Sequence, residues 1–330
     1  MRTFTHVDAR TVEEACELLA AYKGKARLNA GGTDLLSVLK GDILPEYPEV
    51  VINAKTIPGL DYIGENGAVL KIGAMTRLSD IAGSPLIKQR YGVLAEAALS
   101  VGSPQIRNVA TLGGNLCQDS RCWYYRYPRH IGGPVQCVRK GNGPCLAVRG
   151  DNRYHAIMGG KKCFSVCPSD TAVALAALNA KIHIAGLEGE RSVAIEDFYH
   201  SLGNALRADE IVKGIEIPKK ASHVVQKYLK FTLRKPIDFA IVSVATVMSL
   251  KNKICVDASI VLGAVAPMPY RAAPAVEVIR GRAITETLAS RAAEKALDGA
   301  KPLSKNGYKV EIAKTLVKRA ILDIHNGRKT

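Results

Sequence analysis

The chain has 330 residues, of which 47% are apolar, so it is long enough for two or three globular domains with real cores. No window approaches the run of about 18 apolar residues that spans a membrane, and the N-terminal segment is not a basic-plus-apolar leader. We therefore expect a cytoplasmic protein without membrane contact. The formal charge of +16 favours an acidic partner, but aromatic residues make up only 5%, which argues against nucleic acid.

The first 56 residues have the pattern of an α/β unit. Thr11 is a predicted helix N-cap, and Glu14, three residues later, would complete a capping box. The predicted elements are, in chain order, a strand over 3–6, a helix over 11–22, a strand over 26–29, a helix over 33–40 and a strand that ends at Ala54.

A second unit is predicted from residue 57 to 220. It begins with a hairpin, continues with two helical patterns broken by Gly83 and Pro85, and ends with a helix, two strands and a last strand stopped by Pro218. The apolar pattern breaks near residues 219–224. Residues 221–330 then show three β-rich runs followed by two helices, which is the order of an α+β domain with a meander. The predicted overall fold class is α+β.

Two loops carry paired glycines. "AGGTDLL" places two glycines between a short strand and a helix, and "TLGGNLCQ" repeats the feature about 80 residues later. Glycine lets backbone N–H groups at a helix start approach a phosphate. Neither loop is G-x-G-x-x-G, so a Rossmann fold is not predicted. One such loop alone is typical of a tight turn, whereas two favour convergence on a pyrophosphate.

These two motifs, with the domain order above, resemble the flavin-binding subunit or domain of the molybdenum hydroxylases, the family of xanthine dehydrogenase and carbon monoxide dehydrogenase. The resemblance covers essentially the whole chain and implies FAD, bound by a two-lobed domain of the vanillyl-alcohol-oxidase type. For Asp170 a helix N-cap, and for Lys230 a solvated strand face, are the alternatives. The FAD contacts that the resemblance implies are Asn29, Ala30, Gly31, Gly32, Thr33, Asp34, Thr111, Gly113, Gly114, Asn115, Ser169, Asp170 and Lys230.

Six of the eight cysteines fall between residues 117 and 167. In a chain expected to be cytosolic, such clustering favours a metal site over disulfides, whereas Cys16 and Cys255 fit plain buried thiols. Residues 118–166 form an insert relative to ordinary flavin subunits. Paired C-x2-C knuckles for zinc are absent, and irregular spacing favours an iron–sulfur cluster. The predicted ligands are Cys122, Cys137, Cys145 and Cys163.

The fourth ligand stays open at this point, because Cys167 and then Cys117 are rivals of Cys163. His130 and His155 could replace a thiolate, but a lone loop histidine is more often a surface residue. Within the family the insert is similar to that of the 4-hydroxybenzoyl-CoA reductase flavin subunit, which implies a 4Fe-4S cluster. In that group the last cysteine lies seven residues before the FAD-contacting aspartate, as Cys163 does before Asp170.

The resemblance also implies a function without catalytic residues on this chain. Electrons would pass from an acidic ferredoxin or similar carrier through 4Fe-4S and FAD to 2Fe-2S and molybdenum, for reductive dehydroxylation of an aryl-CoA. The implied partners are a molybdenum large subunit and a 2Fe-2S small subunit, in a dimer of heterotrimers. The alternative is a xanthine or heteroaryl dehydrogenase subunit working in the oxidative direction. Two other classes, a zinc-stapled binding protein and a charge-driven nucleic-acid binder, are rivals.

The insert itself is strongly basic. We expect this charge to attract an acidic electron carrier, since complementary fields raise encounter rates, although a solvated loop face is the simpler interpretation. We also expect Trp123, Tyr124, Tyr125 and Tyr127 to shield the cluster from water. The basic residues are Arg121, Arg126, Arg129, Arg139, Lys140, Arg149, Arg153, Lys161 and Lys162.

Overall fold

The computed structural model describes residues 1–132, 135–219, 224–235 and 237–326. The N-terminal unit is a three-stranded parallel sheet with strand order β1-β3-β2. The predicted boundary near 219–224 falls mostly on residues 220–223, which lie outside the described residues. The elements of this unit are β1 (Thr5–Asp8), α1 (Val12–Ala21), β2 (Ala26–Asn29), α2 (Leu35–Gly41) and β3 (Val50–Asn53).

Helix α1 starts at the predicted cap. The Thr11 hydroxyl accepts a hydrogen bond from the Glu14 N–H at 3.1 Å, which satisfies one of the orphan donors of the first turn. The Glu14 carboxylate accepts from the N–H of Arg10 at 2.6 Å and not from that of Thr11. The second hydrogen bond of the capping box is therefore made by the residue before the N-cap and not by the N-cap itself. Cys16 is buried in this unit's core, as predicted.

The second unit is a five-stranded antiparallel sheet of order β4-β5-β10-β6-β7, with helices packed over it. β10 lies between β5 and β6 and pairs with both. The last strand of the unit therefore joins the strands that precede the insert to those that follow it. The elements are β4 (Ile63–Asn66), β5 (Val69–Gly73), α3 (Leu78–Gly83), α4 (Pro85–Arg90), α5 (Gly92–Leu99), α6 (Pro104–Arg107), α7 (Leu112–Cys117), α8 (Arg129–Gly132), α9 (Asp170–Ala177), β6 (Lys181–Gly186), β7 (Gly189–Ala194), α10 (Ile195–Phe198), β8 (Tyr199–His200), β9 (Gly203–Asn204) and β10 (Ile211–Pro218).

The predicted C-terminal meander followed by helices is confirmed. Three long antiparallel strands pair in sequence order, β11-β12-β13, and a short β14 completes the sheet. The helix α11 was not among the predicted elements. The elements are β11 (Val224–Phe231), β12 (Val242–Lys251), β13 (Ile254–Gly263), β14 (Tyr270–Arg271), α11 (Ala273–Ile279), α12 (Glu286–Ala296) and α13 (Tyr308–His325). Within the described residues, none of the helices has the length and apolarity needed to cross a membrane.

The insert is mostly irregular and is anchored to the C-terminal domain. The N–H groups of Ile157 and Met158 both donate to the carbonyl of Val265, at 2.8 and 2.9 Å. The Nζ atom of Lys309, on α13, donates to the carbonyls of His155 at 3.0 Å and Ala264 at 2.6 Å. Lys309 is fully buried, and burial lowers its pKa to about 7. This lysine therefore bridges the insert and the end of β13.

We predict that Lys309→Met makes stability less dependent on pH. The folded-state pKa of Lys309, about 7, lies below the ordinary value of 10.5, so the unfolded chain binds more protons between these values. The free energy of unfolding of the native chain should then rise with pH from 7 upward, by up to about 1.4 kcal/mol per pH unit. The measurement is urea unfolding of both proteins at several pH values between 7 and 9.5. An unfolding free-energy difference between the two proteins that is constant over this range would contradict the prediction.

Candidate functional site

Both glycine loops line a single cleft of about 600 Å³. The cleft is also lined by residues of α9, of β11 and of the segment that follows β11. Ten of the thirteen predicted contacts line it, whereas Asn29, Gly113 and Ser169 do not. The ten are Ala30, Gly31, Gly32, Thr33, Asp34, Thr111, Gly114, Asn115, Asp170 and Lys230.

The first loop touches the second at Gly31. A Cβ atom at this position would overlap the carbonyl oxygen of Val109 and lie 2.8 Å from Cα of Ala110. Only glycine therefore allows the two backbones to approach. Gly32 has φ +70°, a left-handed conformation that favours glycine. The two adjacent glycines thus have different physical roles, one for close approach and one for the turn.

The second loop is held in place by hydrogen bonds within α7 and by hydrogen bonds to the start of α9. The Thr111 hydroxyl accepts from the Gly114 N–H at 3.2 Å and so caps α7. The amide oxygen of Asn115 accepts from the hydroxyls of Ser169 at 2.7 Å and Thr171 at 2.6 Å. Ser169 also caps α9. These bonds hold Ser169 and the second loop in one buried network.

A buried ion pair joins α9 to the first strand of the C-terminal domain. Lys230 Nζ lies 2.7 Å from Asp170 Oδ2, with 9% and 6% of the two side chains exposed. Tyr228 donates to the other carboxylate oxygen at 2.6 Å, and Lys230 also donates to the carbonyl of Ser100. Burial, then the Asp170 charge, raises the pKa of Tyr228 well above its ordinary value, so the phenol stays protonated.

Both alternatives considered for this pair are therefore wrong. Ser169, not Asp170, is the N-cap of α9, and Lys230 is buried. Tyr228 was missed by sequence reasoning. Because residues i and i+2 of a strand point to the same face, the position of Lys230 carried the signal that would have found it.

Asp34 ties the first loop to the insert. Its carboxylate lies 2.9 Å from Arg121 and 2.7 Å from Arg126, and it accepts from the N–H of Asp119 at 2.8 Å. Arg126 also donates to the carbonyl of Ser120. The cleft and the insert therefore share one polar network. From sequence, Arg121 and Arg126 were expected only as part of the basic charge of the insert.

The four predicted cluster ligands line one small cavity, of about 20 Å³. The Cys163 sulfur lies 3.2 Å from the Ser165 hydroxyl, and the close Cys145–Cys163 pair lowers the pKa of Cys163 while it raises that of Cys145. Across the described ranges, no three His, Cys, Asp or Glu side chains are placed to hold a single metal ion. The cavity is smaller than an iron–sulfur cluster, so a cluster there would require Cys122, Cys137, Cys145 and Cys163 to move apart.

The two rival cysteines lie elsewhere. Cys117 and Cys167 line the large cleft and not the small cavity. Burial raises the pKa of each to about 12, so both are protonated thiols at neutral pH. Tyr125 and Arg139 line both cavities. One layer of side chains thus separates the four-cysteine cavity from the cleft.

The two histidines of the insert differ. His130 is exposed, as expected for a loop histidine. His155 is only 3% exposed, and its Nε2 lies 3.2 Å from the sulfur of Cys122. Burial lowers the pKa of His155 to about 4, so the ring is neutral. The expectation of a surface residue is therefore wrong for His155.

Comparison with known proteins agrees with this architecture. Residues 2–220 match the model of the FAD-binding domain in molybdopterin dehydrogenase, and residues 227–324 match that of the CO dehydrogenase flavoprotein C-terminal domain. This chain is an FAD-binding subunit of the molybdenum hydroxylase family. The fold predicted from sequence is confirmed, as are FAD binding and an oxidoreductase role at the level of the family.

Individual relatives span nearly the whole FAD-binding subunit. The FAD-binding subunit of the Escherichia coli aldehyde oxidoreductase is 34% identical over 95% of this chain and 96% of its own. The carbon monoxide dehydrogenase medium chain of Hydrogenophaga pseudoflava is 28% identical over 96% of each. A solved structure of that dehydrogenase superposes with a TM-score of 0.79 at 27% identity, covering 100% of this chain and 99% of the other. Quinoline 2-oxidoreductase of Pseudomonas putida gives 0.77 at 26% identity, covering 99% and 98%.

We predict that Gly31→Ala abolishes retention of FAD. The added methyl group cannot fit against the Val109 carbonyl, so the first loop must withdraw from the second. The readout is flavin absorbance of the protein after gel filtration. Gly92→Ala is the matched control, because a Cβ at Gly92 meets no atom within 4 Å. Full FAD content in the Gly31 variant would show that the contact does not shape the site.

Proposed function

We propose that this FAD-binding subunit is an electron-transfer subunit that carries both FAD and a 4Fe-4S cluster. The observation that carries the proposal is the convergence of Cys122, Cys137, Cys145 and Cys163 on one cavity that shares Tyr125 and Arg139 with the cleft. Four thiolates are the usual ligand set of an iron–sulfur cluster. Two cofactors so placed would exchange electrons across a single layer of side chains.

For FAD, we propose the contacts expected from the sequence, residues 29–34, Thr111, Gly113, Gly114, Asn115, Ser169, Asp170 and Lys230. At Gly31 the two loops of the cleft are in backbone contact, because a Cβ there would overlap the Val109 carbonyl. The amide oxygen of Asn29 is buried and has no hydrogen-bond partner among the described residues. When bound, the flavin accepts one or two electrons and so links one-electron centres to a two-electron reaction. The chain's own residues hold, orient and shield it.

For the cluster, we propose Cys163 as the fourth ligand. It lines the small cavity with the other three cysteines, whereas Cys117 and Cys167 face the cleft. The insert would then be a cofactor-binding subdomain inside residues 57–220, between an N-terminal unit 1–56 and a C-terminal domain 221–330. The limits of the two matched family models support the boundary near residue 220.

The substrate chemistry is proposed to lie on partner subunits. A molybdenum large subunit and a 2Fe-2S small subunit, in a dimer of heterotrimers, would complete the complex. The relatives are named aldehyde oxidoreductase and carbon monoxide dehydrogenase, which favours oxidation, with electrons leaving through FAD and the cluster. The four-cysteine insert supports a second candidate function, the reduction of an aryl-CoA such as 4-hydroxybenzoyl-CoA. Assay of the purified complex with aldehydes and with aryl-CoA distinguishes the two directions.

We keep the predicted acidic carrier in the proposal, but fewer basic residues are available to attract it than the nine expected from the sequence. Five of the nine basic insert residues form ion pairs within the chain: Arg121, Arg126, Arg129, Arg139 and Arg153. Among the others, Arg149, Lys161 and Lys162 are exposed. We propose that these three attract an acidic ferredoxin or similar protein beside the cluster.

We predict that Cys163→Ser removes the reduced-cluster EPR signal and most of the iron. The matched variants Cys167→Ser and Cys117→Ser should keep both, since neither thiol faces the small cavity. Bound FAD, measured in the same samples, controls for folding. Loss of the signal in Cys167→Ser alone would overturn the ligand assignment, and iron-free native protein would overturn the cluster.

We also predict that reversing the charges of Arg149, Lys161 and Lys162 slows electron transfer with ferredoxin. Charge steering acts on association, so the second-order rate should fall about tenfold at low salt and converge with that of the native protein at high salt. Stopped-flow kinetics of the complex measures this rate. The control reverses three exposed lysines elsewhere, Lys88, Lys181 and Lys251. An equal loss in the control would indicate a net-charge effect without a docking surface.

A further inference from the structure

Tyr228 completes the buried ion pair at the wall of the cleft. It is 5% exposed and does not itself line the cleft, whereas Asp170 and Lys230 do. Its hydroxyl donates to Asp170 Oδ1 at 2.6 Å, and its backbone N–H donates to Glu96 Oε2 at 2.7 Å. Tyr228 is therefore held by α5 through its main chain and by the first residue of α9 through its side chain.

The chain itself uses only part of the donor capacity of Lys230. An ammonium group has three N–H donors. One reaches Asp170 Oδ2 at 2.7 Å, and one reaches the carbonyl of Ser100, the C-cap residue of α5, at 2.9 Å. Because the Lys230 side chain lines the cleft, the third N–H is the donor that is available to a ligand there.

The carboxylate of Asp170 is a competitor for that third donor. Each carboxylate oxygen accepts hydrogen bonds, and a buried oxygen without a donor is unfavourable. Tyr228 occupies Oδ1, so Lys230 bonds only to Oδ2. The raised pKa of Tyr228 keeps the phenol protonated and therefore able to donate. Without the phenol, Oδ1 would draw the remaining N–H of Lys230 away from the cleft.

We propose that Tyr228 is a positioning residue for the cofactor, which keeps one donor of Lys230 free for FAD by occupying the second oxygen of Asp170. This inference rests on the proposed function, in which Lys230 contacts FAD. Lys230 is a cation, and reduced flavin can carry a negative charge. The same arrangement therefore favours the reduced state and raises the reduction potential of bound FAD.

A double-mutant cycle on FAD binding tests the inference. The full-length chain in its purified complex, freed of flavin, is titrated with FAD, and flavin fluorescence gives the Kd. We expect Tyr228→Phe to weaken binding about tenfold, the size of a lost hydrogen bond to a charged partner. Lys230→Met should weaken binding at least as much. Adding Tyr228→Phe to Lys230→Met should change the Kd less than about twofold, because the phenol acts through the lysine.

The midpoint potential of bound FAD is a second readout, which a merely structural role of Tyr228 would not move. It should fall in Tyr228→Phe, because reduced FAD loses more binding than oxidised FAD. A tenfold greater loss for the reduced form lowers the potential by about 30 mV. The control Tyr91→Phe removes a buried phenol that does not line the cleft and should leave affinity and potential unchanged. If circular dichroism shows that Lys230→Met does not fold, this potential decides.

The possible failures of the inference and of the proposed function differ. Equal losses from Tyr228→Phe in the native and the Lys230→Met backgrounds would make its role purely structural and overturn the inference. Native affinity and potential in Tyr228→Phe would overturn it as well. In both cases FAD bound to the native protein leaves the proposed function standing. Native protein that binds no FAD, or native affinity in Lys230→Met, would contradict the proposed FAD site itself and the inference with it.

Discussion

The contact of Gly31 with the Val109–Ala110 backbone is the constraint on which the cofactor cleft depends. It brings a loop of the parallel three-stranded unit against a loop of the antiparallel five-stranded unit with no space for a side chain between them. Glycine is the only residue that meets this requirement without displacement of the backbone. The cleft therefore depends on a residue without a Cβ, which lets a loop of one unit contact the backbone of a loop of the other.

From that contact the polar networks extend in two directions. On one side, Asp34 holds Arg121 and Arg126 and so binds the insert to the first loop. On the other, Asp170 pairs with Lys230 and joins α9 to the C-terminal strand β11. Breaking a buried pair of this kind by removing one partner leaves an uncompensated charge and typically costs about 3–5 kcal/mol. All three structural units therefore contribute charged groups to the rim of one cleft.

The same arrangement explains how an irregular segment can be positioned precisely. The insert has few regular hydrogen bonds of its own, but its carbonyls at Tyr154 and His155 accept from Lys309, and Arg126 anchors it to the first loop. Because the insert is held at both ends, Tyr125 has a fixed position between two spaces. The four-cysteine cavity lies on one side of it and the cleft on the other.

The sequence by itself determined the order of the elements, the two glycine loops and the cysteine-rich insert, because these depend on local periodicity and on residue types with special backbone or ligand chemistry. It also pointed to Asp170 and Lys230, but only by analogy with relatives. Their pairing with each other, the role of Tyr228, the separation of Cys163 from Cys167 and the burial of His155 were decided by tertiary structure. Each of these depends on which residues, distant in the chain, share one enclosed space, and spacing along the sequence does not fix that, although strand spacing places Tyr228 on the same face as Lys230.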